Sequence, residues 1–155
     1  MIEIALFQPD IAGNVGTILR MSACFGVRCH IIEPCGFAFG ERALKRAGMD
    51  YLASSDYLRH ADWEKFSGWV ETEDRKIALM TAKGSTPLPQ GKFSDDDIIL
   101  MGSEAAGAPD YVHDIASTRV HIPMRSGFRS LNVAVAAGIA LGEALRQTDQ
   151  YPRGA

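Results

Sequence analysis

The chain lacks the short signatures that mark many enzyme classes. It has no GxGxxG dinucleotide fingerprint, no Walker A loop, no HExxH zinc helix and no GxSxG nucleophile elbow. These absences weigh against an ordinary nucleotide-binding α/β enzyme, a zincin and an α/β-hydrolase. Cysteine is scarce: Cys24, Cys29 and Cys35 are odd in number and show no CxxC spacing. That argues against a disulfide framework and against a zinc site, and it suits idle thiols in a reducing cytosol. No metal is expected. Excess charge is also missing. A net charge of −3 carries no global sign of nucleic-acid binding, although a local basic patch is what contacts phosphate. Met1-Ile2-Glu3-Ile4 begins as a strand, with no basic n-region followed by an apolar h-region. The apolar run from Val133 to Leu141 is too short to span a bilayer. A cytoplasmic protein without a membrane segment is the expectation. Repeats, low-complexity tracts and domain linkers are absent too.

What is present is an ordinary globular composition, 46% hydrophobic and 23% charged, in 155 residues. One domain over 1–155 is expected. Short apolar strands read at Ile2 to Phe7, Val27 to Ile32, Lys76 to Thr81, Ile98 to Met101 and Arg119 to Ile122. Helices read from Asn14 as N-cap to Gly26 as the stop, and from Glu41 to Ala47. Others read from Asp62 to Val70, Pro109 to Ile115 and Ser130 to Gln147. Lys83 to Ser94 reads as loop. Strands alternating with helices predict an α/β fold, a mostly parallel sheet flanked by helices. The last helix is apolar all round, with small residues at Ala134, Ala136, Ala137, Gly138, Ala140 and Gly142. Such a helix is buried, either against its own sheet or partly in a homodimer.

Three turns stand at the carboxyl ends of predicted strands. They are Gly13-Asn14-Val15-Gly16, Gly102 to Pro109, and the loop from Pro123 to Asn132. Parallel sheets bind ligands at that end, and helix starts there offer unpaired N–H groups. One composite site is the simplest reading. Single residues say less. Each of His30, His60, His113 and His121 reads as a surface or satisfied core histidine, and Asp95-Asp96-Asp97 as a solvated turn. Arg20, Arg125 and Arg129 suit phosphate or an anion, though a lone arginine is usually just solvated.

Taken in order, these segments resemble the SPOUT superfamily of knotted RNA methyltransferases. The similarity is greatest to the small tRNA 2′-O-methyltransferases that act on the wobble nucleotide, cytidine or carboxymethylaminomethyl-uridine at position 34. The resemblance rests on Asn14-Val15-Gly16-Thr17-Ile18-Leu19-Arg20 and on His30 through Phe37. It continues through Arg46-Ala47-Gly48-Met49-Asp50-Tyr51 and Met101 through Pro109, and ends with Ile122-Pro123-Met124 and Arg129-Ser130-Leu131-Asn132. It covers nearly the whole chain.

The resemblance implies a C-terminal trefoil knot, a homodimer and S-adenosylmethionine as cofactor, with S-adenosylhomocysteine as product. Matching cofactor positions are Met80, Thr81, Gly84, Gly102, Ile122, Met124, Ser130 and Leu131. The reacting ribose would meet Arg20, Glu104, Ser130 and Asn132. A guanidinium is a poor free base, so Arg20 is read as orienting the hydroxyl and stabilising negative charge on its oxygen. No added RNA-binding domain is seen. The tRNA anticodon loop would therefore lie on Arg20, Arg42, Lys45, Arg46, Lys83, Arg125 and Arg129.

The second motif departs from the family pattern at Ser103 and Ala106, where proline and arginine are usual; the missing arginine removes one candidate RNA or dimer contact. The third carries Leu131 where methionine is common, a volume-conserving swap. Methylation of another tRNA or rRNA ribose, or a non-catalytic RNA-binding module on the same fold, remain the alternatives.

Overall fold

A computed structural model describes residues 1–46 and 52–154. Ala47 through Tyr51 of the Arg46–Tyr51 motif, Ala47 being also the last residue expected in the second helix, lie outside the described residues. The strands are β1 (Glu3–Phe7), β2 (Cys29–Ile32), β3 (Tyr57–His60), β4 (Lys76–Met80), β5 (Thr86–Pro87), β6 (Asp97–Met101) and β7 (Thr118–His121). The helices are α1 (Ala12–Phe25), α2 (Glu41–Arg46), α3 (Trp63–Thr72), α4 (Asp110–Ile115) and α5 (Val133–Gln147). Among the described residues the strands make one seven-stranded sheet in the order β3-β2-β1-β6-β4-β7-β5. Every pairing is parallel. The expected α/β class is therefore what the chain adopts.

The central strands explain why the sheet is two-sided. All five residues of β1 are buried, and so are all five of β6. Near-continuous apolar strands are what a sheet covered on both faces requires. Alternation then splits the core. Ile4 and Leu6 pack with Ile18 and Leu19 of α1 and with Leu141 and Leu145 of α5. Ala5 and Phe7 pack with Phe66 and Val70 of α3 and with Val112 of α4. Register follows the same pattern, Ile4 lying beside Cys29 on one side and Ile99 on the other. Truncating a fully buried residue such as Leu19 to alanine would cost about 2–5 kcal/mol.

Local signals set most boundaries. Gly26 ends α1 with φ 66°, the left-handed conformation glycine tolerates best. Asp62 caps α3, its carboxylate accepting from the Lys65 N–H at 2.8 Å. Two expectations about helix starts change. Asn14 is not a cap: α1 begins at Ala12 after Ile11, which offers no side-chain bond. The side chain of Asn14 is engaged elsewhere, as described below. The last helix begins at Val133, because Asn132 is its cap and accepts from the Ala134 and Val135 N–H groups at 2.8 and 3.3 Å.

Two strands were not expected. In β3 only His60 is buried, so this edge strand carries no apolar signal. In β5 there are two residues, one a proline, which an edge position tolerates. The acidic run also divides. Asp95 and Asp96 are exposed, but Asp97 is buried and accepts from the Ser94 N–H at 2.9 Å. Burial raises its carboxyl above the ordinary range.

The final helix is only half covered. Ala137, Ala140, Leu141, Ala144 and Leu145 are buried, whereas Val135 is 52% and Ile139 42% exposed. An apolar stripe on α5 thus remains open in the single chain.

Candidate active site

The three turns singled out in the sequence meet at the carboxyl edge of the sheet. β1 and β6 are neighbours there, with β2 leading away on one side and β4 on the other. Ligand crevices form where strand order reverses in this way. A cavity of about 580 Å3 opens at this point, lined by residues of all three turns and of the segment after β4. Its size lies within the roughly 300–1,000 Å3 usual for small-molecule sites. A narrower slot of about 110 Å3 adjoins it, walled by Met80, Met101, Ile122, Met124, Leu131 and Ala136.

A chain of hydrogen bonds ties the turns together. Glu104 accepts from the Asp10 N–H at 2.6 Å through Oε2 and from Asn14 Nδ2 at 3.2 Å through Oε1. Asn14 Oδ1 in turn accepts from Asn132 Nδ2 at 3.1 Å. The Asp10 carboxylate accepts from the Ala105 N–H at 3.0 Å. Buried Asn14 is thus the central link between the second and third motifs. The 102–107 turn also closes on itself. Ser103 and Gly107 exchange both backbone bonds, at 3.0 and 2.9 Å, and Ser103 Oγ accepts from the Ala106 N–H at 3.3 Å. A Cβ on Gly102 would stand 2.7 Å from the Gly107 carbonyl carbon, so only glycine fits. The hydroxyl of Ser103 therefore braces the turn at the position where a proline was expected.

Most expected site residues are brought together. Glu104, Ser130 and Asn132 line the larger cavity, with Met80, Thr81, Gly102, Leu131 and Lys83. Ile122, Met124 and Arg129 line the slot. Gly84 lines neither: it packs on β7, where a Cβ would stand 2.6 Å from the Val120 carbonyl carbon. Its carbonyl oxygen lies 2.7 Å from His121 Nδ1. Arg20 is exposed on α1 and lines neither space. Six residues beyond Asn14, it projects about 120° around the helix from it. Arg42, Lys45, Arg46 and Arg125 are exposed and outside both spaces.

Sequence reasoning missed Asp10 and His113, and placed Asn14 in a site turn and motif with a cap as the one role for its side chain. His113 lines the larger cavity. Nothing local marks either residue, since the partners of Asp10 are more than 90 positions away.

Cys29 and Cys35 supply no thiolate. Burial pushes the Cys29 thiol up to about 12 and, with Glu33 nearby, the Cys35 thiol up to about 11. Both stay protonated at neutral pH. Among the described residues no group of three or more His, Cys, Asp or Glu is placed to hold a metal. No helix among them is long and apolar enough to cross a membrane.

The chain with this all-parallel sheet and its three joined turns belongs to the SpoU rRNA Methylase family, whose model matches residues 1–142. Within it, the chain is similar to proteins named for RNA methylation. A tRNA (cytidine(34)-2'-O)-methyltransferase of Beijerinckia indica subsp. indica is 51% identical over 144 residues, covering 93% of this chain and 90% of that protein. A solved structure described as giving insights into the 2-OH methylation of C/U34 on tRNA superposes with TM-score 0.88 at 35% identity, covering 95% of each chain. An AdoMet-bound rRNA methyltransferase from Sinorhizobium meliloti superposes with TM-score 0.84 at 28% identity, over 94% of this chain and 56% of that one.

Proposed function

We propose that the chain is an S-adenosylmethionine-dependent enzyme that methylates the ribose 2′-oxygen of the wobble nucleotide, position 34, of tRNA. The observation that carries this reading is the hydrogen-bonded joining of all three motifs around one cavity. The similarity to proteins named for that reaction supports it across almost the whole chain.

The residues present fit the cofactor. The slot offers apolar walls for a purine, and Thr81 and Ser130 offer hydroxyls at its edge. The larger cavity carries the carboxylate and amides of Glu104, Asn14 and Asn132. When bound, S-adenosylmethionine supplies an electrophilic methyl group on sulfur. The chain does the rest. Met80, Ile122, Met124 and Leu131 would hold the base of the cofactor, and Gly102 keeps the turn beside it closed on Gly107. Glu104, Ser130 and Asn132 set the edge at which the ribose enters. Arg20 lines neither space in the single chain, so it would act on a ribose lying between the cavity edge and α1, orienting the 2′-hydroxyl and stabilising negative charge on its oxygen, while a neighbouring RNA phosphate or solvent would take the proton. Arg42, Arg46, Lys83, Arg125 and Arg129 hold phosphates, which makes RNA affinity salt-sensitive.

Three further points belong to the same reading. A single domain binds RNA and carries the reaction. β7 enters between β4 and β5, strands already laid down, which supports a knotted C-terminal segment. The open stripe of Val135 and Ile139 supports a homodimer through α5.

The test is transfer of labelled methyl from S-adenosylmethionine to unmodified bulk tRNA, followed by nuclease mapping. Label on the 2′-oxygen of nucleotide 34 is the expected result. Label on another ribose would keep the reaction and overturn the substrate. No transfer by an intact dimer would overturn the enzyme reading.

A further inference from the structure

Asp10 lies outside the cavity wall, yet it makes two bonds to the turn that carries Glu104. Its backbone N–H donates to Glu104 Oε2 at 2.6 Å, and its own Oδ2 accepts from the Ala105 N–H at 3.0 Å. The two bonds run in opposite directions between the same pair of short segments. They form a clamp that fixes both the position and the tilt of the turn. One bond alone would leave the turn free to pivot about it.

The clamp is braced from behind. The Gly36 N–H donates to the Pro9 carbonyl at 2.9 Å. A Cβ on Gly36 would stand 2.9 Å from both Asp10 Cα and Oδ1. The 33–40 segment therefore presses on Asp10 so closely that a side chain at Gly36 would displace it. The same segment leads directly into α2, which carries Arg42 and Arg46.

We infer that Asp10 is a positioning residue for methyl transfer: it clamps the 102–107 turn so that the Glu104 carboxylate meets Asn14 and the cavity in one fixed orientation. The inference rests on the methyl-transfer reading above. Asp10 lines neither space, so it acts through Glu104 and Ala105. Ala105 is exposed, so water can replace the lost acceptor and folding is little affected. Small displacements of positioning groups reduce turnover strongly, by as much as about 100-fold for 1 Å.

The experiment compares full-length wild type, Asp10→Ala and Asp10→Asn. Turnover, KM for tRNA, thermal midpoint and hydrogen exchange at the Ala105 amide are measured for each. Asp10→Ala is expected to lower kcat by about 10-fold or more, with KM for tRNA within about 3-fold of wild type. Its Ala105 amide exchanges faster, while the thermal midpoint barely moves. Asp10→Asn keeps an acceptor oxygen of the same reach and restores both turnover and Ala105 protection. Wild-type turnover in Asp10→Ala overturns the inference, as does a loss that simply follows a lowered thermal midpoint. Equal impairment of Asp10→Asn and Asp10→Ala also overturns it, because the acceptor would then be irrelevant. If the wild-type chain transfers no methyl group, the functional reading fails. Unchanged Ala105 exchange in Asp10→Ala would overturn the clamp separately.

Discussion

Two polar networks of similar chemistry sit in very different places in this molecule. At the carboxyl edge, Glu104 gathers Asp10 and Asn14, and Asn14 gathers Asn132, beside an open cavity. On the α3 face, Glu3 Oε2 lies 2.6 Å from His30 Nε2, and His30 Nδ1 lies 2.9 Å from His60 Nε2. Arg75 closes the far end, 3.3 Å from Glu3 Oε1. His30 is wholly buried, with the Trp69 ring centroid 4.5 Å from its own and Phe66 5.7 Å away. Each network gives both oxygens of a carboxylate a nitrogen partner. The first joins loops and faces a cavity, whereas the second joins strands β1, β2 and β3 and faces aromatic rings. A satisfied polar cluster is thus a site only where the fold leaves space beside it. Sealed in the core, the same groups hold strands in register.

That contrast can be broken by mutation, and the largest expected effect is on the buried side. His30→Ala leaves His60 without its partner, removes one from Glu3 and opens a void, so it should cost about 3–5 kcal/mol of stability. Urea unfolding measures this. Methyl transfer per folded molecule should stay within about 2-fold, and a selective loss of turnover would erase the distinction between the networks.

Glu104→Ala should do the reverse. Turnover is expected to fall about 100-fold, equivalent to roughly 2.7 kcal/mol, with a smaller loss of stability than His30→Ala. Single-turnover methyl transfer and urea unfolding of the same sample check both halves. Arg20→Lys comes next, at about 10-fold in kcat, because lysine keeps the charge and loses the planar fork. Unchanged turnover would remove Arg20 from the proposed chemistry. Asp62→Ala touches neither network. It removes the cap of α3 and should cost about 1 kcal/mol without altering turnover, as thermal unfolding with an activity assay would verify.

The smallest effect is a pH dependence carried by the buried network. Burial, with His30 beside it, holds His60 below the ordinary histidine value. Burial alone would raise Glu3, but the His30 hydrogen bond and the Arg75 charge bring it below the ordinary carboxylate value. In both cases the unfolded chain binds more protons than the folded one, so stability rises with pH. The His60 contribution is complete above the ordinary histidine range and is lost as pH falls through its lowered value. The Glu3 contribution is lost further into acid. Thermal midpoints between pH 8 and pH 4 should therefore fall with acidification, and His60→Gln should flatten the upper part of that fall. A midpoint equally sensitive in His60→Gln would assign the effect to other groups.

Much of the architecture was legible in the residues. Apolar strands, Gly26 as a stop, a helix start at Asp62 and the three turns at strand ends all follow from local chemistry. Edge strands β3 and β5 were not legible, because one buries only His60 and the other contains two residues. Asn14 was misread for a physical reason. Asparagine is a good cap by composition, but here its amide is taken by Glu104 and Asn132, 90 and 118 positions away. His30 and His60 prove to be satisfied core histidines, one of the two readings the sequence allowed, but their contact with each other required β2 and β3 to pair.

By itself the sequence determined the fold class, the order of the motifs and the residue types gathered at the carboxyl edge, because helix caps, strand periodicity and glycine turns act over a few residues. Only the tertiary structure decided which donors each carboxylate meets, that Asp10 clamps the Glu104 turn, and that Asn14 joins Glu104 to Asn132. Those outcomes depend on hydrogen bonds a few ångströms long between segments far apart in the chain, and no local preference encodes such a distance.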